Sequence, residues 1–546
     1  MRTRPPFKYR LSGHLCSITL LLIASASSLF CWPGEPGEKQ LYIRRVSLDQ
    51  RNVFDGSDSP LERAVGSVIN TVHVLTDQDV IRRELLFKEG DTYDQRLLDE
   101  SGQNLRSLGI VGEVAITADT LADNTVDVTV RTRDRWTLRP GISLRQEGNR
   151  GGINVSVRDD NFLGNAQKIR IGYNYLSGPG NPHGGEVGFM EPRLWGSRWS
   201  AAAQYGVSQL YRVGGISVEA PFQTHRAPWA ARVSVDMCRV YLLQFQDGLA
   251  AQTGYIDQQN EVAWVASASQ SDVSLQSSAA YVRTRSHTVG YLTSPSENVD
   301  LVIGSLSVFT RKRVPIGSAD SPDRIEDVSL GYQAGAAFGR NLHFTKAGSE
   351  DYFLKLSGQS SMMLGGNFYA SYQALATTYI GRTVFNETTI SGVALHHWRL
   401  SANQSIIGRV AAVVESRCSP VNSLVLGAST GLRGYSNFAF LGQRLLLINF
   451  EHRLLSLMRI WFLRVGGVLF FDSGAIWNQE DDLHKQRFHS SVGVGLCLNV
   501  AGAIVRMDVA YNLDRQRVSL GFSANQIFRV FAPLEFTPPV PGQPLR

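Results

Sequence analysis

Apolar and polar residues alternate along most of this chain. Trp136, Leu138, Ile142 and Leu144 interleave with Thr137, Arg139, Gly141, Ser143 and Arg145. Ile153, Val155 and Val157 interleave with Asn154, Ser156 and Arg158, and Val505, Met507, Val509 and Tyr511 with Arg506, Asp508 and Ala510. A period of two places successive side chains on opposite faces of a strand. Both a soluble sandwich and a membrane barrel alternate in this way. Here the second face carries charges such as Arg506 and Asp508, which a buried apolar core would not accept. Backbone groups in lipid must be paired within the sheet, so a sheet there closes on itself. The pattern therefore predicts an all-β, transmembrane, antiparallel β-barrel over residues 135–528.

Before residue 135 the period changes. Leu41 to Leu48 reads as a strand. Thr76-Asp77-Gln78-Asp79 has capping-box spacing ahead of a helix carrying Val80, Ile81, Leu85 and Leu86 and ended by Gly90. A second helix starts near Asp94, with Leu98, Leu105 and Leu108 on one face, and strands follow over Val111 to Thr117 and Val126 to Arg131. This β-α-α-β-β order predicts a small α+β domain over residues 40–133, with Arg51 to Leu75 as a long first connection.

The termini are of another kind. Arg2, Arg4, Lys8 and Arg10 precede an apolar run from Leu15 to Ile23 and the small residues Ala24-Ser25-Ala26, as in an export signal over residues 1–26. The run is too short to span a bilayer. Residues 529–546 hold Pro533, Pro538, Pro539, Pro541 and Pro544, a tail unsuited to strand pairing.

Composition narrows the function. Charged residues make up 19% of the 546 positions, too many for a helical membrane protein, and the net charge of +6 comes without a dense basic block, so nucleic acid is not an expected partner. The cysteines Cys16, Cys31, Cys238, Cys418 and Cys497 have no metal-site spacing, although one bridge such as Cys238–Cys418 stays open. His396 and His397 are strand neighbours pointing to opposite faces. No nucleophile elbow, phosphate loop or zinc-protease motif is present, so the expectation is a protein without enzymatic activity, metal or cofactor.

Four signals occur in order near the C-terminus: Leu432-Arg433-Gly434-Tyr435, Asn449-Phe450-Glu451-His452-Arg453, Phe470-Phe471-Asp472-Ser473-Gly474, and a last strand from Val518 to Phe528. They resemble the BamA/TamA superfamily of outer-membrane insertases and transporters. Asp160-Asn161-Phe162-Leu163-Gly164 and Glu191-Pro192-Arg193-Leu194-Trp195-Gly196-Ser197 are similar to two of its turns, and the small domain looks like one POTRA (polypeptide-transport-associated) domain.

The resemblance implies a barrel in the outer membrane with the POTRA-like domain in the periplasm. It also implies 16 strands, the Arg-Gly loop preceding the last five. Five candidate strands do follow that loop, but about fifteen windows precede it where the family has eleven, which leaves 18–20 strands open. Carried over by position, Arg433 enters the lumen and pairs with Asp472, while Gly434 allows a tight turn and Tyr435 packs on the wall. Strand parity adds Glu451, Arg453 and Arg464 as lumen-facing charges. Gly521, Phe522 and Phe528 belong to a terminal-strand assembly signal.

The implied function is insertion, assembly or translocation of polypeptides, with outer-membrane lipids, unfolded or extended clients and periplasmic or lipoprotein partners. A two-partner-type secretion transporter and a passive porin or structural barrel are the alternatives. The former usually has two POTRA domains and a plug helix, neither of which is evident here.

Overall fold

The computed structural model describes residues 40–53, 73–121 and most of 123–523. The expected export signal, the segment 54–72, Cys418, Phe528 and the Pro-rich tail lie outside the described residues.

The small domain consists of β1 (Tyr42–Arg51), α1 (Gln78–Glu84), α2 (Gln95–Ser107), β2 (Val111–Thr120) and β3 (Thr125–Asp134). Its sheet has the order β1-β3-β2, with β1 parallel and β2 antiparallel to β3. Val80, Ile81, Leu98, Leu105 and Leu108 bury one side of the helices against Ile43, Val126, Val128 and Val130. This is the single apolar stripe that the spacing of α2 predicts. The second helix starts next to Asp94 as expected, and the Asp94 side chain caps it, accepting from the Arg96 N–H at 3.0 Å.

The first helix corrects two expectations. Asp77, not Thr76, is its N-cap, accepting from the Asp79 N–H at 2.8 Å. The Thr76 hydroxyl is instead engaged by the Asp134 carboxylate at 2.8 Å, which also accepts the Thr76 N–H at 2.7 Å and so moves the cap one residue on. The helix stops at Glu84, well before Gly90, which sits in the following turn.

The barrel begins with β4 (Leu138–Glu147), β5 (Arg150–Phe162), β6 (Gln167–Leu176), β7 (His183–Glu191), β8 (Ser200–Ser208) and β9 (Tyr211–Ala220). It continues through β10 (Trp229–Gln246), β11 (Leu249–Ala268), β12 (Val273–Gly290) and β13 (Glu297–Thr310). A separate hairpin, β14 (Arg313–Gly317) and β15 (Ile325–Ser329), comes before β16 (Gly331–Asn341), β17 (Glu350–Leu364), β18 (Phe368–Gly381), β19 (Phe385–Ser401) and β20 (Gln404–Ser416). A long loop holds the short pair β21 (Leu424–Leu426) and β22 (Phe440–Gly442). The last strands are β23 (Arg444–Ile460), β24 (Leu463–Trp477), β25 (His489–Val500), β26 (Ala503–Asn512) and β27 (Arg517–Ser523).

Closure takes twenty strands, not sixteen, and β27 returns to β4. Five strands follow the long loop, as expected. Fifteen wall strands precede the loop, in line with the roughly fifteen windows of the sequence, each antiparallel to its neighbours. The family count of eleven fails because fifteen strands join the wall before the loop; among the described residues, β14–β15 and β21–β22 form separate two-stranded sheets. Parity agrees with the sequence: on β26, Val505, Met507, Val509 and Tyr511 face outward, while Arg506, Asp508, Ala510 and Asn512 are buried inside. Cys238 and Cys497 are free thiols.

The small domain is docked on the end of the barrel where β4 begins. Asn161, near the end of β5, donates to the Thr76 hydroxyl at 3.0 Å, and the Gly164 carbonyl in the turn that follows accepts the Asp77 N–H at 2.9 Å. Gly164 has φ +78°, and a Cβ there would come within 2.7 Å of the Leu75 carbonyl, so this contact requires glycine. Arg193, in the turn after β7, forks onto the buried Glu84 of α1. Arg106 of α2 forks onto Asp327 of β15 at 2.8 and 3.0 Å.

Candidate functional site: a loop tip locked inside the barrel

The loop between β20 and β23 starts at the far end of the barrel and turns inward. A short 3-10 turn, Ala428–Thr430, leads to Gly431 and then to Leu432, which is fully buried. Leu432 and Tyr435 pack with Leu426, Leu445 and Leu447. This apolar cluster anchors the loop against the inner wall and delivers Arg433 into a cage of charges.

Arg433 is 5% exposed. Its Nε and Nη2 donate to the two Asp472 oxygens, each at 2.6 Å, and its backbone N–H reaches the same carboxylate at 3.2 Å. Nη1 donates to Glu451 at 2.6 Å. The guanidinium lies over the Phe470 ring, 3.6 Å from its centroid. A planar fork satisfies a carboxylate on two prongs and still presents a face to an aromatic ring, which an ammonium cannot do.

The cage extends around the wall. Glu451 also accepts from Arg453 at 2.7 Å and from Arg506 at 3.0 Å, and Arg506 donates to Asp508 at 2.8 Å. Asn449 donates to Asp472 and to the Gly431 carbonyl, both at 2.8 Å, and accepts from Arg409 at 3.1 Å. Arg433, Arg453 and Arg506 thus balance Glu451, Asp472 and Asp508. Buried charges are tolerated where each is paired and hydrogen-bonded.

Tyr435 secures the outer side of the tip. Its hydroxyl donates to Asp514 at 2.7 Å and to the Ser490 carbonyl at 3.1 Å. Burial pushes this phenol above its ordinary range and the Asp514 carboxylate adds to the effect, so the hydroxyl stays a donor. Gly434 has φ +86°, and its carbonyl accepts from Asn512 at 3.2 Å.

Leu432, Arg433, Gly434, Tyr435, Asp472, Glu451 and Arg453 therefore come together. Arg464 does not: it shares the face of Asp472 but lies about 27 Å away along β24, at ~3.4 Å per residue. Gly521 is on the lumen side opposite Asp508, whereas the Phe522 side chain and all of Phe528 lie outside the described residues. His396 is exposed outward and His397 buried inward.

Two glycines and a carboxylate escaped the sequence reading. On β25 a Cβ at Gly493 would overlap the Phe470 ring and the Val509 carbonyl, and one at Gly495 would overlap Asp508. These glycines leave room for the ring under Arg433 and for the Asp508 carboxylate. Their signal was parity: both occupy inward positions between Ser491 and Cys497. Asp514, in the turn after β26, had none. Gly493→Ala is expected to lower stability by about 1–3 kcal/mol through overpacking, read as a lower urea midpoint for the folded barrel. An unchanged midpoint would mean that the ring is not confined there.

Residues 161–528 match the sequence profile of the Omp85 superfamily domain. Residues 67–134 match that of the POTRA domain described as surface antigen variable number repeat. No curated protein matches the chain by sequence. Among solved structures, BamA from Haemophilus ducreyi lacking POTRA domains 1-3 is similar at 11% identity, with 90% of this chain and 85% of that chain covered and a TM-score of 0.38. CdiB from Escherichia coli is similar at 11% identity, with 93% and 95% covered and a TM-score of 0.45. CdiB from Acinetobacter baumannii is similar at 10% identity, with 93% and 96% covered and a TM-score of 0.41. The profile match spans well over half the chain, and the protein accordingly belongs to the Omp85 superfamily, an outer-membrane β-barrel whose POTRA domain lies in the periplasm.

Proposed function

We propose that the protein assists the insertion of other polypeptides into the outer membrane through the junction of its first and last strands. The observation that carries this reading is the gap in pairing on the extracellular side of that junction. Among the described residues, β27 and β4 share one paired position, Phe522 with Leu144. On the extracellular side of that pair, Arg145, Gln146 and Glu147 of β4 and Ser519, Leu520 and Gly521 of β27, all among the described residues, are not paired with one another. Unpaired edges are templates for another strand.

The POTRA sheet offers a second edge. The outer side of β1 is partly covered at its start: Ile43 pairs by backbone hydrogen bonds with Gly90 and Asp91. No described strand lies on the outer side of β2. An extended client adds to β2 in the periplasm and then reaches the junction, while the caged loop holds β23, β24 and β26 in fixed register. Hydrogen bonds and lipid burial drive the transfer; no nucleotide is consumed.

The test is folding of an urea-unfolded outer-membrane protein into liposomes with and without the purified full chain. Faster folding supports insertion. No acceleration across several clients would overturn it in favour of translocation, the other activity to which the resemblance points.

A further inference from the structure

Resting on the polypeptide-handling reading above, we infer that the lumen wall carries a binding site for an extended, amphipathic polypeptide segment, formed by Tyr369, Leu395 and Ile407, and that the β14–β15 hairpin occupies it in the resting protein. These residues lie near the periplasmic ends of β18, β19 and β20 and are 3%, 6% and 0% exposed. They point into the barrel: on β19, Ile390, Trp398 and Leu400 face outward, and on β20 Val410 and Val414 do. Inner walls of membrane barrels are polar, and here Ser371, Ser391, His397 and Ser405 share the inward face. An apolar patch among them needs a cover.

The hairpin is that cover. Val328 and Ile316 pack on the patch. Val314, Ile316 and Val328 share one face of the hairpin by strand parity and cross-strand pairing, while Asp327 lies on the opposite face, where Arg106 of the POTRA helix α2 clamps it. At its other end Gly317 backs onto the Arg399 guanidinium of β19. The hairpin belongs to its own two-stranded sheet and adds no strand to the wall. A two-stranded hairpin is marginal by itself, so its position depends on the apolar face, a hydrogen bond from the Ser361 hydroxyl of β17 to the Ser329 carbonyl at 2.6 Å, and the clamp from the POTRA domain. A client segment with apolar residues at alternate positions presents the same face to the patch. The clamp links the two ends of the device: movement of the POTRA domain withdraws Arg106, releases the hairpin and uncovers the site.

The experiment uses the full chain in planar bilayers, without any client folding. One variant replaces residues 312–329 by Gly-Ser-Gly, and the probe is a short peptide alternating valine and serine. The variant is expected to conduct several-fold more than the parent chain and to be blocked by the alternating peptide. A peptide with the same residues in two blocks should not block it. Adding Leu395→Asn and Ile407→Asn should raise the blocking concentration by roughly tenfold or more, as two lost apolar contacts imply. Conductance equal to the parent's, or a block indifferent to the wall substitutions, would overturn the proposal. Should the shortened chain fail to fold, Asp327→Arg must raise conductance and its combination with Arg106→Asp must bring it back; no change in either sinks the idea. Client folding in liposomes is a separate readout, so failure here leaves the insertion reading standing, and the converse also holds.

Discussion

Arg433→Ala is expected to cost about 3–5 kcal/mol, the usual penalty for removing one partner of a buried ion pair. The loss concentrates on Asp472. That carboxylate is fully buried and would lose both prongs of the guanidinium, keeping its bond from Asn449 and any the displaced loop could still offer through the backbone. Glu451 suffers less, since Arg453 and Arg506 still hold it. Arg433→Lys should recover only part, because one ammonium cannot fork onto Asp472 and also reach Glu451 across the Phe470 face. Asp472→Asn in the Arg433→Ala background should be milder than the sum of the single changes, by about 0.5–3 kcal/mol of coupling. Urea midpoints of the folded barrel measure all four chains, and client folding in liposomes follows the activity. A midpoint for Arg433→Ala equal to that of the parent would show that the tip is not held in the cage.

Cysteines at Leu144 and Phe522 should, once oxidised, abolish acceleration of client folding, and reduction should restore it. Directly paired antiparallel residues have Cα atoms about 4.5–5.5 Å apart, within disulfide reach. The chain's other cysteines would be replaced by alanine. A control pair at Val509 and Leu520 joins β26 to β27, where pairing is already continuous, and should leave activity intact. Full activity with the first and last strands cross-linked would rule out their junction as the route. Loss in both chains would point to general stiffening of the barrel.

Much of this was legible because strand parity is a strong constraint. Glu451, Arg453 and Asp472 fall on inward positions of β23 and β24, and the loop motif supplied Arg433. What period two does not encode is how many strands share one closed wall. The same alternation that located fifteen upstream windows could not decide between a wall strand and a protruding hairpin, and the family count pointed the wrong way. Local signals also lost to long-range partners. Thr76 has the spacing of a cap, yet the carboxylate of Asp134, distant in sequence, takes its hydroxyl. The clamp between Arg106 and Asp327 joins residues 221 positions apart and left no trace in any motif.

The strand number has a geometric consequence. With strands about 4.8 Å apart and tilted by roughly 40°, sixteen would enclose a cylinder about 32 Å across, and twenty one of about 40 Å, an increase of roughly half in cross-section. One inward loop cannot occlude that larger area. At twenty the lumen holds two separate elements, the loop tip in its extracellular half and the β14–β15 hairpin near its periplasmic mouth, each packed on its own stretch of wall.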